Sequence, residues 1–453
     1  MPVSICKTTI DIIMKDLQHY FNQQLESHAD GVQRWVIGLS GGLDSVVLLH
    51  LAANALPAEQ LRVITVDHQL QPASSQWAAF CGRLAASLQL PFQQQKVTVD
   101  QSASLERAAR NARYQAFEQL LQPGDCLLLA HHLNDQAETL LFRMLRGAGV
   151  RGMAGMPQTR ALGQAVLLRP LLHVSRQQLH QWAEAEQLEW IDDPSNQDLT
   201  YDRNYLRHKI MPLLQARWPG FTHRWADMAT HMCEAERLHY DLAEIDYAAV
   251  RGGDGLSCAA LMALSQARRN NLLRFWCRKA GVWLGERQLQ AVQSLLLAAD
   301  DRQPLLTLGK QQLRRYQGTL LLQRAPLELS WQHRSLTAEG IQLPQGCLEV
   351  CDSDASVAGL KTLTNVSVRN RQDGDRCRPV GRGGSCSLKK LFQEYKIPAW
   401  QRNAWPVCVV GDEIVALPGI CICEDWQSEK KGQGFALNWQ PIALSDPGDS
   451  DTL

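Results

Sequence analysis

The residues best suited to chemistry lie in Val36-Ile37-Gly38-Leu39-Ser40-Gly41-Gly42-Leu43-Asp44-Ser45, where an apolar run breaks into Ser-Gly-Gly-Leu-Asp-Ser and then resumes as an apolar segment. The spacing reads as strand, turn, helix. Gly41 and Gly42 let the backbone turn tightly with its N–H groups inward. The hydroxyls of Ser40 and Ser45 stand at a helix N-terminus, where the macrodipole favours an anion. A nucleotide phosphate suits such a turn. A plain Gly-Gly turn with a Ser or Asp cap would need fewer polar groups than these six positions supply.

The elements that must position this loop follow from the spacing of short apolar runs. After the first strand come Leu61 to His68, Pro91 to Val99, Asp125 to His132 and Val166 to Leu172, separated by helix-length segments. That rhythm predicts an α/β fold with a doubly wound parallel sheet. In such sheets ligands bind beyond the carboxyl ends of the strands. Ser40 to Ser45, the pair Asp67 and His68, and the stretch His131 to Glu138 all fall there. We place this domain at residues 1–219, a mainly helical middle domain at 220–330, and a small α+β domain at 364–440. The acidic end, Leu444 to Leu453, is expected to be disordered.

Composition narrows the partners. The chain has 453 residues, and its 46 basic and 46 acidic side chains cancel, so any nucleic-acid surface must be local. Thirteen cysteines without a CxxC pair point to neither a zinc ribbon nor a thioredoxin-like site. They fit reduced thiols. The N-terminus lacks a secretory pattern, and no apolar run approaches the roughly 20 residues needed to cross a bilayer. The expectation is a cytoplasmic protein without a membrane partner; a homodimer is the assembly kept open.

The Ser40 to Ser45 string resembles the pyrophosphate loop of the PP-loop ATP pyrophosphatases. It lacks the Gly-Lys-Ser/Thr ending of a kinase-type loop, so ATP is expected to serve as an AMP donor. Four further strings share the chain with it: HHLNDQAETLLFRMLRGAG from His131, RPLL from Arg169, DPSN from Asp193 and RNYLRHKIMPLL from Arg203. With the terminal string from Arg369 to Val407, they resemble the tRNA(Ile)-lysidine synthetase family in order and spacing. The resemblance implies a ligase using ATP, Mg²⁺ and free L-lysine. It would convert the wobble cytidine of a CAU-anticodon tRNA(Ile) to lysidine through an adenylated tRNA, so that the anticodon reads AUA instead of AUG.

Each stage of that chemistry makes a demand on residues here. Ser40, Gly41, Gly42, Leu43, Asp44 and Ser45 would hold the pyrophosphate, with Asp44 as a Mg²⁺ ligand. The lysine side chain has a pKa of about 10.4, so a carboxylate must orient and deprotonate it. Asp135 and Glu138 are the candidates, because i and i+3 share a helix face; both are also ordinary acids for a helix N-terminus. His131, His132 and Asp135 invite a metal reading, which the lack of a third strong ligand cluster weakens. Arg110 and Arg113 share a face of the helix expected at Leu105 to Phe117. The resemblance places one arginine of that helix at the phosphates, and a solvated basic face is the alternative. Asp67 and His68 either touch the adenosine or cap their strand. Gln69 stands where the family commonly has glycine, so the turn there is expected to differ.

Basic residues concentrate where the tRNA would lie. Between Val368 and Arg402 stand Arg369, Arg371, Arg376, Arg378, Arg382, Lys389, Lys390, Lys396 and Arg402, against Asp373, Asp375 and Glu394. Such clustering is the footprint of phosphate-backbone binding, or else a solvated face. Phe392, Tyr395 and Trp400 within it suit core packing better than base stacking. Arg203, Arg207, His208 and Lys209 would hold the anticodon arm; alternatively Arg203 and Asn204 would close the lysine site.

Three rivals remain. A PP-loop tRNA thiolation enzyme would need a reactive cysteine, and Cys81 and Cys126 are lone residues. An amidotransferase-type ligase would need an ammonia route. A non-catalytic tRNA-binding protein would not need the intact SGGLDS and DQAE strings.

Overall fold

The computed structural model describes residues 7–99, 105–253, 255–298, 304–324, 333–354 and 358–441. The expectation for Leu444 to Leu453 lies outside the described residues. The chain forms two compact units, the first running to His239 and the second starting at Tyr240. Among the described residues no helix is long and apolar enough to cross a membrane.

The first unit runs α1 (Lys7–Glu26), β1 (Arg34–Gly38), α2 (Leu43–Ala55), β2 (Leu61–Asp67), α3 (Ser74–Ser87), β3 (Phe92–Lys96), α4 (Leu105–Leu120), β4 (Asp125–Leu128), α5 (Leu133–Leu145), α6 (Val150–Met153), β5 (Thr159–Leu162), β6 (Ala165–Leu168) and α7 (Arg176–Ala185). Its sheet has the order β3-β2-β1-β4-β6-β5. β1, β2, β3, β4 and β6 pair in parallel, as the spacing predicts. β5 is antiparallel to β6 and was not foreseen, because Thr-Arg-Ala-Leu carries no strand signal of its own.

Side-chain alternation along β1 explains the double winding. Trp35 and Ile37 join the core built with α1, α2 and α7, which includes Phe21, Leu48 and Trp182. Val36 points the other way, into a core with Phe117 and Leu121 of α4's side, Leu127 and Leu167. A strand buried on both faces cannot lose either row; truncating Ile37 to Ala would cost about 2–5 kcal/mol.

After α7 come α8 (Asp202–Tyr205), a turn of π-helix at Leu206–Ile210, α9 (Met211–Arg217) and α10 (Phe221–Val250). The middle region expected to be mainly helical at 220–330 also carries strands. Two short strands, Arg251–Gly252 and Gly255–Ser257, join a five-stranded antiparallel sheet with Leu305–Leu308, Gln311–Tyr316 and Thr319–Arg324. They are too short to show an alternating pattern. Strand Gly346–Asp352, which precedes the expected domain start at 364, pairs over its full length with Phe435–Pro441.

Candidate active site

The carboxyl ends of β1, β2 and β4 open on one cleft of about 400 Å³. Ser40, Gly42, Asp44 and Ser45 line it, with Asp67 and His68 from β2's end, Arg113 from α4, His131 and Asp135. The chain thus brings together groups separated by nearly a hundred residues. Gly41, Leu43 and Arg110 stand outside the lining. Gly41 supplies the turn, at φ +84°; an added Cβ would lie 2.9 Å from Ile191 Cδ1. The Leu43 side chain is buried in the core.

The loop's hydroxyls are ordered against one another. Ser45 Oγ accepts from the Ser40 N–H (3.2 Å), lies 3.0 Å from Ser40 Oγ, and donates to the Gly42 carbonyl (2.9 Å). Asp44 behaves differently. Its Oδ1 is buried without a hydrogen bond among the described residues, while Oδ2 lies 3.6 Å from His132 Nε2.

Asp67 is buried, and its carboxylate accepts from the Gln69 N–H (2.9 Å) and from Gln94 Nε2 (3.2 Å). It therefore closes the turn after β2 as well as lining the cleft. Gln69 takes the left-handed conformation, φ 53°, that a glycine would adopt without strain. The turn expected to differ keeps the glycine-like shape, and Asp67 holds it. His68 is lowered in pKa by burial, with Arg113 adding to the effect and Asp67 opposing it.

The N-terminus of α5 carries the acid pair. His132 and Asp135 form a capping box: His132 Nδ1 accepts from the Asp135 N–H (3.3 Å) and Asp135 Oδ2 accepts from the His132 N–H (3.2 Å). His132 is a helix cap joining two carboxylates. Burial alone would push its pKa down, but Asp135, Asp44 and Glu138 outweigh that and raise it.

Asp135 and Glu138 meet the basic group expected from Arg203 onward. Arg207 donates through Nε to Glu138 Oε1 (2.7 Å) and through Nη2 to Oε2 (2.8 Å), and also reaches Asp135 Oδ1 (3.2 Å). Arg203 Nε donates to Glu138 Oε2 (3.3 Å). Glu138 is 3 % exposed, so the carboxylate end of the bidentate pair is shielded from water, whereas Arg207 is half-buried. Burial would raise the Asp135 pKa; His132, His131, Arg203 and Arg207 together hold it far below the usual carboxylate range. It is a firm counter-charge and a weak proton acceptor at neutral pH. Asn204 binds neither acid; its amide donates to the carbonyls of Ser195 (2.8 Å) and Asp198 (2.9 Å) and ties down the DPSN turn.

Three site features were missed in the sequence. Asp193 lines the cleft and accepts from Ser195 N–H (2.8 Å) and Gln71 Nε2 (3.2 Å); DPSN was its available signal. Thr65 lines the cleft and donates to the Leu39 carbonyl, fixing the β1 end of the loop. Arg169, which acts on His131, opens the RPLL string but was given no role, and Tyr114 gave no local pattern. The cysteines near the loop are inert: burial pushes the Cys81 thiol up to about 11 and the Cys126 thiol up to about 12.

In the second unit all three acids of the basic segment hold arginines. Asp375 binds Arg369 bidentately (2.8 and 2.9 Å), Asp373 lies 3.7 Å from Arg371, and Glu394 binds Arg382 (2.6 and 2.7 Å). Arg376, Arg378, Lys389, Lys390 and Lys396 remain exposed without ion pairs among the described residues. Phe392 is fully buried, Tyr395 is exposed, and Trp400 packs edge-on against Tyr316 under Arg314.

Comparison with known proteins adds the following. Residues 12–214 match the PP-loop domain, 256–321 the TilS substrate binding domain, and 366–439 the TilS substrate C-terminal domain. The chain is 37% identical to a tRNA(Ile)-lysidine synthase of Coxiella burnetii, over 89% of this chain and 93% of that one. It is 39% identical to one of Pseudomonas fluorescens, over 91% and 94%. Among solved structures, a U34-tRNA thiolase from Methanococcus maripaludis aligns at TM-score 0.42 and 16% identity, covering 51% of this chain and 81% of that one. A TilS C-terminal domain structure aligns at TM-score 0.20 and 27% identity, covering 24% and 97%.

Proposed function

Because the chain belongs to the tRNA(Ile)-lysidine synthase family, we propose that the cleft of its first unit joins L-lysine to the wobble cytidine of a CAU-anticodon tRNA(Ile) at the expense of ATP. The observation that carries this reading is Asp135, which lines the nucleotide cleft and is also bound to the acid–arginine network. One residue thus belongs to the surroundings of both reactants.

The chemistry runs in two displacements. Cytosine oxygen 2 attacks the α-phosphorus, the P–O bond to the β-phosphate breaks, and pyrophosphate leaves into the hydroxyls and N–H groups of Ser40 to Ser45. Arg113 stabilises the charge that develops on the α-phosphate oxygens. The lysine ε-amine, having lost a proton, then attacks carbon 2, and the carbon–oxygen bond to AMP breaks. Arg203 and Arg207 suit the lysine α-carboxylate, and Asp135 and Glu138 suit its ammonium groups. Asp135, held anionic, serves orientation, and we assign proton acceptance to Glu138, the second acid of the pair, once the amine displaces Arg207 from it. Asp67 and His68 face the adenosine.

Asp44 fits Mg²⁺, since a buried carboxylate oxygen without a hydrogen bond is the donor a hard cation selects. Bound there, the ion would supply neutralisation of the triphosphate charge. Arg371, Arg376, Arg378, Lys389 and Lys390 supply the remaining tRNA backbone contacts.

The test uses the full chain with ATP, labelled lysine and CAU-anticodon tRNA(Ile). Label is expected at the wobble base. ATP–pyrophosphate exchange without lysine transfer would overturn the reading in favour of a thiolation or amide-forming enzyme.

A further inference from the structure

Four arginines surround one tyrosine on the α4 side of the sheet. The guanidinium carbons of Arg160, Arg110 and Arg113 lie 4.4, 5.4 and 6.0 Å from the centroid of the Tyr114 ring. Arg169, only 2 % exposed, faces the Tyr114 hydroxyl and donates through Nη1 to the Pro157 carbonyl (2.6 Å). Among the described residues none of the four has a carboxylate partner, although acids hold arginines at Arg34, Arg203, Arg207 and Arg268. The Nε atoms of Arg113, Arg160 and Arg169 are buried without a hydrogen bond, and so is Nδ1 of the adjoining His131. Burial, with Arg169, Arg113 and Arg110 against the opposing Asp135, pushes the His131 pKa down to about 3. Arg169 is buried and Arg110, Arg113 and Arg160 are half-buried, and positive charge partly withdrawn from water with no counter-charge is costly unless a ligand supplies the anion.

Position within the sheet says which anion. Asp67 and His68 lie at the end of β2, on one side of β1, whereas Arg160 begins β5 and Arg169 follows β6, beyond β4 on the other side. Only Arg113 and His131 of this group also line the nucleotide cleft. A nucleotide reaching from Asp67 to the loop therefore leaves Arg110, Arg160 and Arg169 to the other reactant. A cytidine brought to the α-phosphorus carries its own phosphodiesters with it, and guanidinium planes suit both those phosphates and unstacked bases.

We infer that Arg110 and Arg160, backed by the buried Arg169 and by Tyr114, form a nest for the phosphodiester backbone of the RNA strand that presents its base to the cleft. This rests on the tRNA reading above. It adds a second RNA contact, on the catalytic unit itself, to the basic segment of the second unit.

The test measures binding of an RNA hairpin carrying a CAU loop to the full chain across a range of salt, alongside ATP binding. Arg160→Gln is expected to weaken RNA binding about tenfold and to lower the slope of log K against log salt by about one. Arg160→Lys should retain most of the affinity, and ATP affinity should stay unchanged in both, which also reports that they fold. Arg110→Gln added to Arg160→Gln should deepen the loss. Unchanged RNA affinity and slope in the double variant, while the parent chain binds the hairpin and transfers lysine, would overturn the nest and leave the family reading intact. Parallel loss of ATP affinity in Arg160→Gln would overturn it by making the nest part of the nucleotide site. A parent chain that binds no RNA would overturn both.

Discussion

At the scale of single residues, the site separates acids by the company they keep. Asp44 has an unbonded buried oxygen, whereas Glu138 has both oxygens held by arginines. The two should fail differently. Asp44→Ala should lower tRNA adenylation about a thousandfold. Glu138→Gln, which keeps shape and loses charge, should lower lysine transfer about a hundredfold with adenylation little changed. Separate assays of pyrophosphate release and lysine incorporation check this, and equal loss of both steps in Glu138→Gln would remove its assigned role. His131 governs a second measurable quantity. Unfolded, it titrates near 6.5, about the ordinary value; folded, it stays neutral down to about 3. Between those values the unfolded chain binds a proton that the native chain does not, so stability falls as pH falls through that window. That contribution to the slope should approach about 1.4 kcal/mol per pH unit. Other histidines titrate in the same window, His132 with the opposite sign, so the His131 contribution is read as a difference: urea unfolding from pH ~7 to ~5 should give a shallower rise of stability with pH in His131→Gln than in the parent chain.

At the scale of elements, what was legible in the sequence was what is local. Ser40 to Ser45 spans one turn, and the DQAE string spans one helical turn, so their chemistry and geometry are written in adjacent letters. Even the departure at Gln69 was visible, although its outcome was not: the Asp67 carboxylate holds the turn in a conformation that strains any side chain. Gln69→Gly should therefore stabilise the first unit by up to about 1 kcal/mol, read from its thermal or urea transition. A decrease would show that the side chain's own contacts outweigh the strain. The arginine nest was illegible because β5 is a four-residue strand of no marked propensity that delivers Arg160 from 46 positions beyond Tyr114. The pairing of Arg203 and Arg207 with Glu138 was equally hidden; the residues were identifiable, and their destination was not.

At the scale of the whole molecule, neutrality conceals division of labour. Asp375 holds Arg369 out of water, Glu394 pairs with a partly exposed Arg382, and the fully exposed Asp373 only neighbours Arg371, so the segment's unpaired exposed charge rests chiefly on Arg376, Arg378, Lys389, Lys390 and Lys396. Replacing Lys389 and Lys390 together by Gln should reduce the salt slope of tRNA binding by about two, and leave ATP binding unaltered. Filter binding over several salt concentrations checks it; an unchanged slope would remove these lysines from the interface. Deleting everything after residue 364 would be a poorer experiment. Strand Gly346–Asp352 would lose the partner Phe435–Pro441, and a binding defect would then report an exposed edge.

The bidentate grip of Arg207 on Glu138 has a bearing on selectivity. In the resting enzyme the arginine sits where an incoming ammonium would seek its partner. Any cation that enters must displace it, and a displaced, half-buried guanidinium needs a new anion. An amino acid carries that anion on its own α-carbon; a plain diamine of the same length does not. If the cleft takes lysine as proposed, the arginine would act as a placeholder that admits a zwitterion and turns away a polyamine. Cadaverine, at concentrations where lysine saturates, should neither compete for lysine transfer nor be joined to the tRNA, and effective competition would show that the placeholder imposes no such toll.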